Sequence, residues 1–341
     1  MKRFFCCCGQ EIFFENSSCL SCGRRLAYAP SKGRMVSLDA RADERWCEPS
    51  TGDEYTFCDN RVRYAVCNSI VDIDDPHALC LACRLNRTIP NLSHRDNLHR
   101  WYRIEQAKRR LIFGLLSLGL PLEAAAADYP RGLSFDFLED RRSNAAVPEE
   151  FVTTGHRDGV ITLNILEADD VQREWQRQQS SERYRTVLGH FRHEAGHYYY
   201  ELLVREHSEF VLLFGDPAIT YEAALKRYYD CGPAPHWEQR YISAYASAHP
   251  LEDWAECFAH YLHSVDTLET AVDRGLIAPA ADGNNFDQVL GQWDGFAVTL
   301  NELNRSLGLQ DAYPFVVTPV IAEKLRYVHQ RILAVRGAVT G

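Results

Sequence analysis

The spacing of apolar residues predicts an α+β fold whose second half is mostly helical. Residues 97–111 carry apolar side chains at helical spacing, and the pattern continues to Leu120. Residues 159–166 alternate and are rich in β-branched side chains, which predicts a strand, and the polar stretch 140–150 before it predicts a loop. From Val171 onward the pattern is mostly helical. We therefore expect a small sheet followed by helices.

Composition and charge narrow the class of protein. Of 341 residues 46% are hydrophobic, which is enough to bury a core, and 37 Lys+Arg against 47 Asp+Glu give a net charge of −10. This acidic balance argues against a protein that binds nucleic acid through bulk positive charge. The longest apolar run, Leu111 to Leu122, is far shorter than the roughly 20 residues that span a bilayer, and the apolar stretch after Met1 ends at Cys8. We expect a cytoplasmic protein without membrane contact.

The cysteines are concentrated at the N-terminus. Ten of the twelve lie between Cys6 and Cys83, and the others are Cys231 and Cys257. In a reducing compartment such a cluster indicates metal thiolates rather than disulfides. The asymmetry also predicts a separate N-terminal unit.

The first cysteine group has the spacing of a short zinc ribbon. Three adjacent cysteines before Gly9 are followed by a Cys-x2-Cys-Gly knuckle, and two such turns can face one tetrahedral zinc. Three adjacent thiols exceed what one knuckle needs, so the choice within the first pair stays open, and we favour Cys6 and Cys8 over Cys7. The predicted ligands are Cys6, Cys8, Cys19 and Cys22.

A second cysteine group also ends in a Cys-x2-Cys pair. Two isolated cysteines lie upstream of that pair, and Cys47 is the alternative to Cys58. We favour Cys58 because it is nearer in sequence to Cys67. Four thiolates leave no open coordination position, so both zincs are expected to be structural. The predicted ligands are Cys58, Cys67, Cys80 and Cys83.

The candidate chemistry lies in the pentapeptide His193-Glu194-Ala195-Gly196-His197, within a stretch of helical spacing. Two histidines four residues apart lie on one helix face and can share a zinc. Glu194 points away from that line, where it can accept a proton from a zinc-bound water. This pattern predicts a catalytic zinc with His193 and His197 as ligands and Glu194 as general base.

The third ligand must come from another segment. A metzincin would need glycine at 200 and histidine at 203, where this chain has Tyr200 and Leu203. A later apolar helix instead carries Glu252 and Glu256 one turn apart. We assign Glu252 as the ligand and Glu256 as the carboxylate that orients the first zinc histidine, with the reverse assignment as the alternative.

These two segments resemble the gluzincins related to anthrax lethal factor. The shared features are HEAGH followed by EDWAECFAHYLH. The resemblance implies that a tyrosine seven residues before the ligand glutamate, here Tyr245, stabilises the oxyanion. Tyr241 is the rival, and the alternative for Tyr245 is a packed core tyrosine.

A wider resemblance covers nearly the whole chain. CGQEIFFEN, CLACRLNRTIPNLS, TGHRDGVITLN, YRTVLGHFRHEAGHYYYELL and LNRSLGLQDAYPFVV are similar to a bacterial zinc-binding metallopeptidase family with an N-terminal zinc ribbon. The resemblance supports both cysteine sets, and Cys7 departs from its pattern. We predict a first zinc ribbon at 1–35, a second Cys-rich zinc-binding segment at 36–93 and a mostly helical, zincin-like metallopeptidase domain at 94–341.

The resulting expectation is a zinc-dependent peptidase with one catalytic and two structural zincs. The first expected partner is a peptide or protein substrate that pairs with the strand Val160–Ile165, which is predicted to be the sheet edge. The second is a protein that binds to the zinc ribbons. The alternatives are a zinc-ribbon scaffold with a non-catalytic zincin domain and a non-peptidase zinc amide hydrolase. Four further histidines are expected to line the cleft or pack rather than bind metal: His156, His190, His260 and His263.

Overall fold

The computed structural model describes residues 2–122, 132–179, 184–204 and 208–339. Its N-terminal part consists of short strands and two short helices: β1 (Phe4–Phe5), β2 (Glu11–Ile12), β3 (Arg25–Ala29), β4 (Arg34–Ala40), β5 (Trp46–Cys47), β6 (Glu54–Phe57), α1 (Asp59–Tyr64), β7 (Ile70–Asp72) and α2 (Leu81–Arg84). The strands β1 and β2 pair with each other, and β3 to β7 form an antiparallel meander. The predicted boundary between residues 35 and 36 lies inside β4.

The C-terminal part combines a small sheet with eight helices among the described residues: β8 (Asn86–Thr88), α3 (Asn97–Ser117), β9 (Ser134–Leu138), β10 (Gly155–Arg157), β11 (Val160–Asn164), α4 (Asp170–Gln179), α5 (Val187–Leu203), α6 (Ser208–Phe214), α7 (Tyr221–Cys231), α8 (Pro250–Asp273), α9 (Phe286–Ser306) and α10 (Pro319–Val339). This arrangement confirms the predicted α+β class, with a strand-rich N-terminal part before a mostly helical part. No helix in the described ranges is long and apolar enough to cross a membrane.

The small sheet corrects one prediction. Its strand order is β10-β11-β9-β8, so the predicted strand β11 lies between two others and is not the edge. The chain reverses at Asp158-Gly159, where both residues have positive φ, 54° and 82°. This is the geometry of a tight two-residue hairpin turn, and it places β10 on the outside of β11. Among the described strands, β10 is therefore the edge on this side.

Among the described helices, α5 and α8 have the most extensive mutual contact. They pack against each other along a contact that includes Gly196 and Ala255. A Cβ atom on Gly196 would lie 2.8 Å from the Ala255 Cα, so only glycine permits this approach. The indole of Trp254 donates a hydrogen bond to the Gly196 carbonyl at 2.8 Å. The contact fixes the position of the HEAGH segment relative to the glutamates of α8.

Candidate metal centres and active site

The HEAGH histidines lie on α5, one turn apart and on the same face. Thr186 caps the helix by accepting a hydrogen bond from the Gly189 amide at 2.9 Å. The Nε2 atoms of His193 and His197 are 3.2 Å apart. Both imidazoles thus direct a ring nitrogen to one point.

The carboxylate of Glu252 completes this group from the first turn of α8. His249 caps α8 and accepts a hydrogen bond from the Leu251 amide at 3.1 Å. Glu252 is fully buried, and its Oε2 lies 3.0 Å from Nε2 of His193, while its Oε1 lies 3.5 Å from Nε2 of His197. One ligand atom from each of the three side chains lies within 4.8 Å of the others.

This donor set fits zinc. Glu252 Oε2 is a buried carboxylate oxygen with no hydrogen-bond partner. It faces Nε2 of His193. The other ring nitrogen of His193, Nδ1, is already hydrogen-bonded to Glu256. A cation between the three side chains would satisfy these converging acceptors, and two histidines with one glutamate form a known catalytic zinc set.

Glu256 contacts the first histidine from the opposite side. Its Oε1 lies 2.6 Å from Nδ1 of His193. Burial would raise the pKa of Glu256, but the hydrogen bond and the charge of His193 lower that pKa to about 2. A carboxylate in this position fixes the ring orientation and the tautomer of a zinc histidine.

The predicted base lies on α5 between the two histidines, and the two candidate tyrosines lie shortly before α8. Glu194 is buried, with 8% of its surface exposed. The ring of Tyr245 lies 5.9 Å from the ring of His193, whereas the ring of Tyr241 packs under Nζ of Lys324 at 4.4 Å. Tyr245, and not Tyr241, therefore faces the histidines.

The other histidines have different contacts. His190 Nδ1 lies 3.1 Å from Glu167, and His260 Nδ1 shares a hydrogen bond with the Tyr313 hydroxyl at 2.8 Å. His263 lies 2.6 Å from a buried arginine of α5. Within the described residues, none of these three joins a group that could hold a metal.

Two groups of four cysteines form the remaining candidate metal sites. In the first, the Sγ atoms of Cys6 and Cys22 are 3.5 Å apart, and in the second those of Cys67 and Cys80 are 3.7 Å apart. Four sulfurs at 2.3 Å from one zinc would be about 3.8 Å apart in a tetrahedron. The first cysteine site consists of Cys6, Cys8, Cys19 and Cys22, and the second cysteine site of Cys58, Cys67, Cys80 and Cys83.

The two cysteines that competed for these sites lie outside them. Cys7 is exposed, and its backbone amide donates to the Ser37 hydroxyl at 3.0 Å. Cys47 is buried in β5, and its thiol donates to the Glu48 carbonyl. Cys58, by contrast, directly precedes α1 and joins the second cysteine site.

Comparison with known proteins agrees with this arrangement. Residues 97–331 match the family described as "Putative zinc-binding metallo-peptidase". The chain belongs to this family. Residues 3–94 match a zinc-ribbon domain. The two matches together confirm the predicted metallopeptidase family with an N-terminal zinc ribbon. The chain is 41% identical over 341 residues to three relatives, each titled an uncharacterized protein. Two come from strains of Mycobacterium tuberculosis and one from Mycobacterium bovis. The alignment covers 96% of this chain and 94% of each relative. No solved structure matches the chain, and the likeness to lethal factor stays a prediction from motifs.

The sequence does not predict two polar contacts beside the HEAGH site. The Tyr221 hydroxyl, from α7, donates to Oε1 of Glu252. Lys324, from α10, pairs with the buried Asp253 and also donates to the Arg240 carbonyl at 2.8 Å. Burial raises the pKa of Asp253 to about 7, although the charge of Lys324 opposes this. No sequence spacing signals these contacts, because tertiary packing alone brings α7 and α10 to α8.

Proposed function

We propose that the chain is a zinc-dependent peptidase whose zinc is held by His193, His197 and Glu252. The observation that carries this proposal is the unpartnered, buried Glu252 Oε2, which converges with two imidazole nitrogens. Glu256 supports the first histidine from behind. When bound, zinc polarises the scissile carbonyl and lowers the pKa of a coordinated water.

Glu194 takes the proton of the attacking water and returns it to the leaving amine. It follows His193 directly in α5, so its side chain leaves the helix off the line of the two histidines. Its low exposure limits competition from bulk water. The charge of Glu194 also contributes to the raised pKa values of Tyr221 and Tyr245, which supports a position of its carboxylate near these two tyrosines.

Tyr245 donates a hydrogen bond to the oxyanion of the tetrahedral intermediate. Burial, together with the negative charge of Glu252, holds the pKa of Tyr245 well above its ordinary value. The hydroxyl therefore keeps its proton at neutral pH and acts as a donor. A donor at this position stabilises the charge that develops during the reaction.

The edge strand β10 provides a binding surface for a peptide main chain. Its backbone pairs with β11 on one side, and an extended peptide adds to the other. His156 in β10 lies beside the histidine group, since its ring stacks with that of His197 at 6.5 Å and 9°. A substrate paired with β10 thus passes close to the three candidate zinc ligands.

Replacing Glu194 tests this mechanism. Glu194→Gln should retain zinc and the thermal unfolding temperature but lose hydrolysis of any peptide that the wild type cleaves, because an amide cannot act as a base. Glu201→Gln is the matched control, since it changes an exposed carboxylate of the same helix and should retain activity. Turnover by Glu194→Gln at the wild-type rate, with unchanged zinc content, would exclude Glu194 as the base.

A further inference from the structure

The two carboxylate oxygens of Glu252 have different surroundings. Oε1 accepts a hydrogen bond from the Tyr221 hydroxyl, whereas Oε2 has no hydrogen-bond partner. Oε2 is also the oxygen nearer to His193 Nε2, at 3.0 Å against 3.5 Å between Oε1 and His197 Nε2. The carboxylate therefore has one oxygen held by Tyr221 and one oxygen that faces the imidazole of His193.

The position of Tyr221 is set by the same turn of α8 that carries Glu252. Its ring packs edge-on against His249 at 5.1 Å. His249 caps α8, and its Nε2 lies 3.0 Å from the carbonyl of Ile219, two residues before Tyr221. The tyrosine and the glutamate are thus attached to one local framework, which holds their hydrogen bond in place.

The hydroxyl is a donor in this framework. It gives its proton to the hydrogen bond with Glu252 Oε1, because an ionised carboxylate oxygen can only accept. None of the residues of α7 is buried, and the helix is therefore not part of the hydrophobic core. Removal of the hydroxyl should change the Glu252 contact without disturbing the core.

We propose that Tyr221 is a positioning residue that restricts Glu252 to binding zinc through Oε2 alone. The hydrogen bond occupies Oε1 and prevents the carboxylate from binding through both oxygens. Two imidazoles and one carboxylate oxygen leave a fourth position for water, as a catalytic zinc requires. This inference rests on the proposed function, because it takes His193, His197 and Glu252 as the zinc ligands.

Cobalt(II) substitution tests this role without a substrate. A chelator first removes the zinc of the HEAGH site while the two cysteine sites keep theirs, and cobalt(II) is then added. Metal analysis checks that one cobalt is bound per chain. Five-coordinate cobalt(II) absorbs visible light more weakly than four-coordinate cobalt(II). Tyr221→Phe should therefore weaken the visible bands, as both oxygens of Glu252 become available. Chelator competition should also show a loss of metal affinity of about 10–100-fold.

Tyr229→Phe is the matched control, because it removes a hydroxyl from an exposed tyrosine of the same helix. Its spectrum and metal affinity should equal those of the wild type. A Tyr221→Phe protein with the wild-type spectrum and affinity would overturn the positioning role, even if kcat fell, because such a result assigns the hydroxyl to the reaction itself. Failure of the wild type to bind metal outside the two cysteine sites would instead overturn the proposed function.

Discussion

At the scale of single residues, Tyr245 and Tyr241 illustrate how the surroundings of a side chain decide its role. The ring of Tyr245 lies 5.9 Å from that of His193 and packs edge-on against Tyr228 at 5.7 Å. Tyr241 lies under the ammonium of Lys324, which is itself bound to a buried aspartate. The ring of Tyr245 is thus close to one of the candidate zinc ligands, and the ring of Tyr241 contributes to packing.

This difference predicts different kinetic effects for the same substitution. Tyr245→Phe should lower kcat for peptide hydrolysis by about 10–1,000-fold with little change in KM, because it removes a donor needed only in the transition state. Tyr241→Phe should leave kcat near the wild-type value. Steady-state kinetics of both variants, with zinc content measured in parallel, checks this. A kcat loss in Tyr241→Phe alone would show that the offset taken from lethal factor does not apply.

Local spacing explains which site residues could be predicted. His193 and His197, like Glu252 and Glu256, are pairs within one helix, and their four-residue spacing alone puts each pair on one face. Tyr221 and Lys324 are different, because they come from helices remote in sequence from Glu252 and Asp253. Only the tertiary arrangement of α7, α8 and α10 brings them together.

At the scale of elements, the contact between α5 and α8 determines the geometry of the site. The ligands of one helix face those of the other only because the backbones approach closely at Gly196 and Ala255. The apolar spacing predicts both helices, but it does not predict which residues of α5 contact which residues of α8. The prediction of β11 as the sheet edge is wrong for a related reason, because the residue pattern of β11 does not show that β10 pairs with its outer side.

Adding a methyl group at this contact should separate the helices. Gly196→Ala should lower the free energy of unfolding by about 1–3 kcal/mol, because the added Cβ meets backbone atoms of Ala255 that cannot rotate away. Gly291→Ala is the control, as it lies in α9 with no atom within 4 Å of the added Cβ. That variant should gain up to about 1 kcal/mol from helix propensity. Denaturant unfolding measures both, and equal stability of Gly196→Ala and the wild type would contradict the packing argument.

At the scale of the whole molecule, the two cysteine sites differ in how they connect to the rest of the chain. Cys6 and Cys19 of the first cysteine site belong to a small cluster that meets α3 through Phe113. The residues of the second cysteine site belong to the large core that also contains Phe191 of α5 and Trp254 of α8. The second site therefore supports the metallopeptidase region directly, while a protein partner for the ribbons stays a prediction.

This difference predicts unequal effects of cysteine substitutions. Cys22→Ser and Cys83→Ser should each lower the zinc content by about one per chain. Cys83→Ser should also lower the temperature of the main unfolding transition more than Cys22→Ser does, because its site lies in the large core. Cys7→Ser is the control and should change neither quantity, since Cys7 lies outside both sites. Equal thermal effects of Cys22→Ser and Cys83→Ser would contradict this view of the two cores.

The zinc content of the purified protein tests the central claim most directly. If His193, His197 and Glu252 hold zinc beside the two cysteine sites, the wild type should contain about three zincs per chain. His197→Ala should contain about two, with the thiolate-bound zincs retained. Two zincs in the wild type and the same number in His197→Ala would contradict a zinc at the HEAGH site, and with it the proposed peptidase.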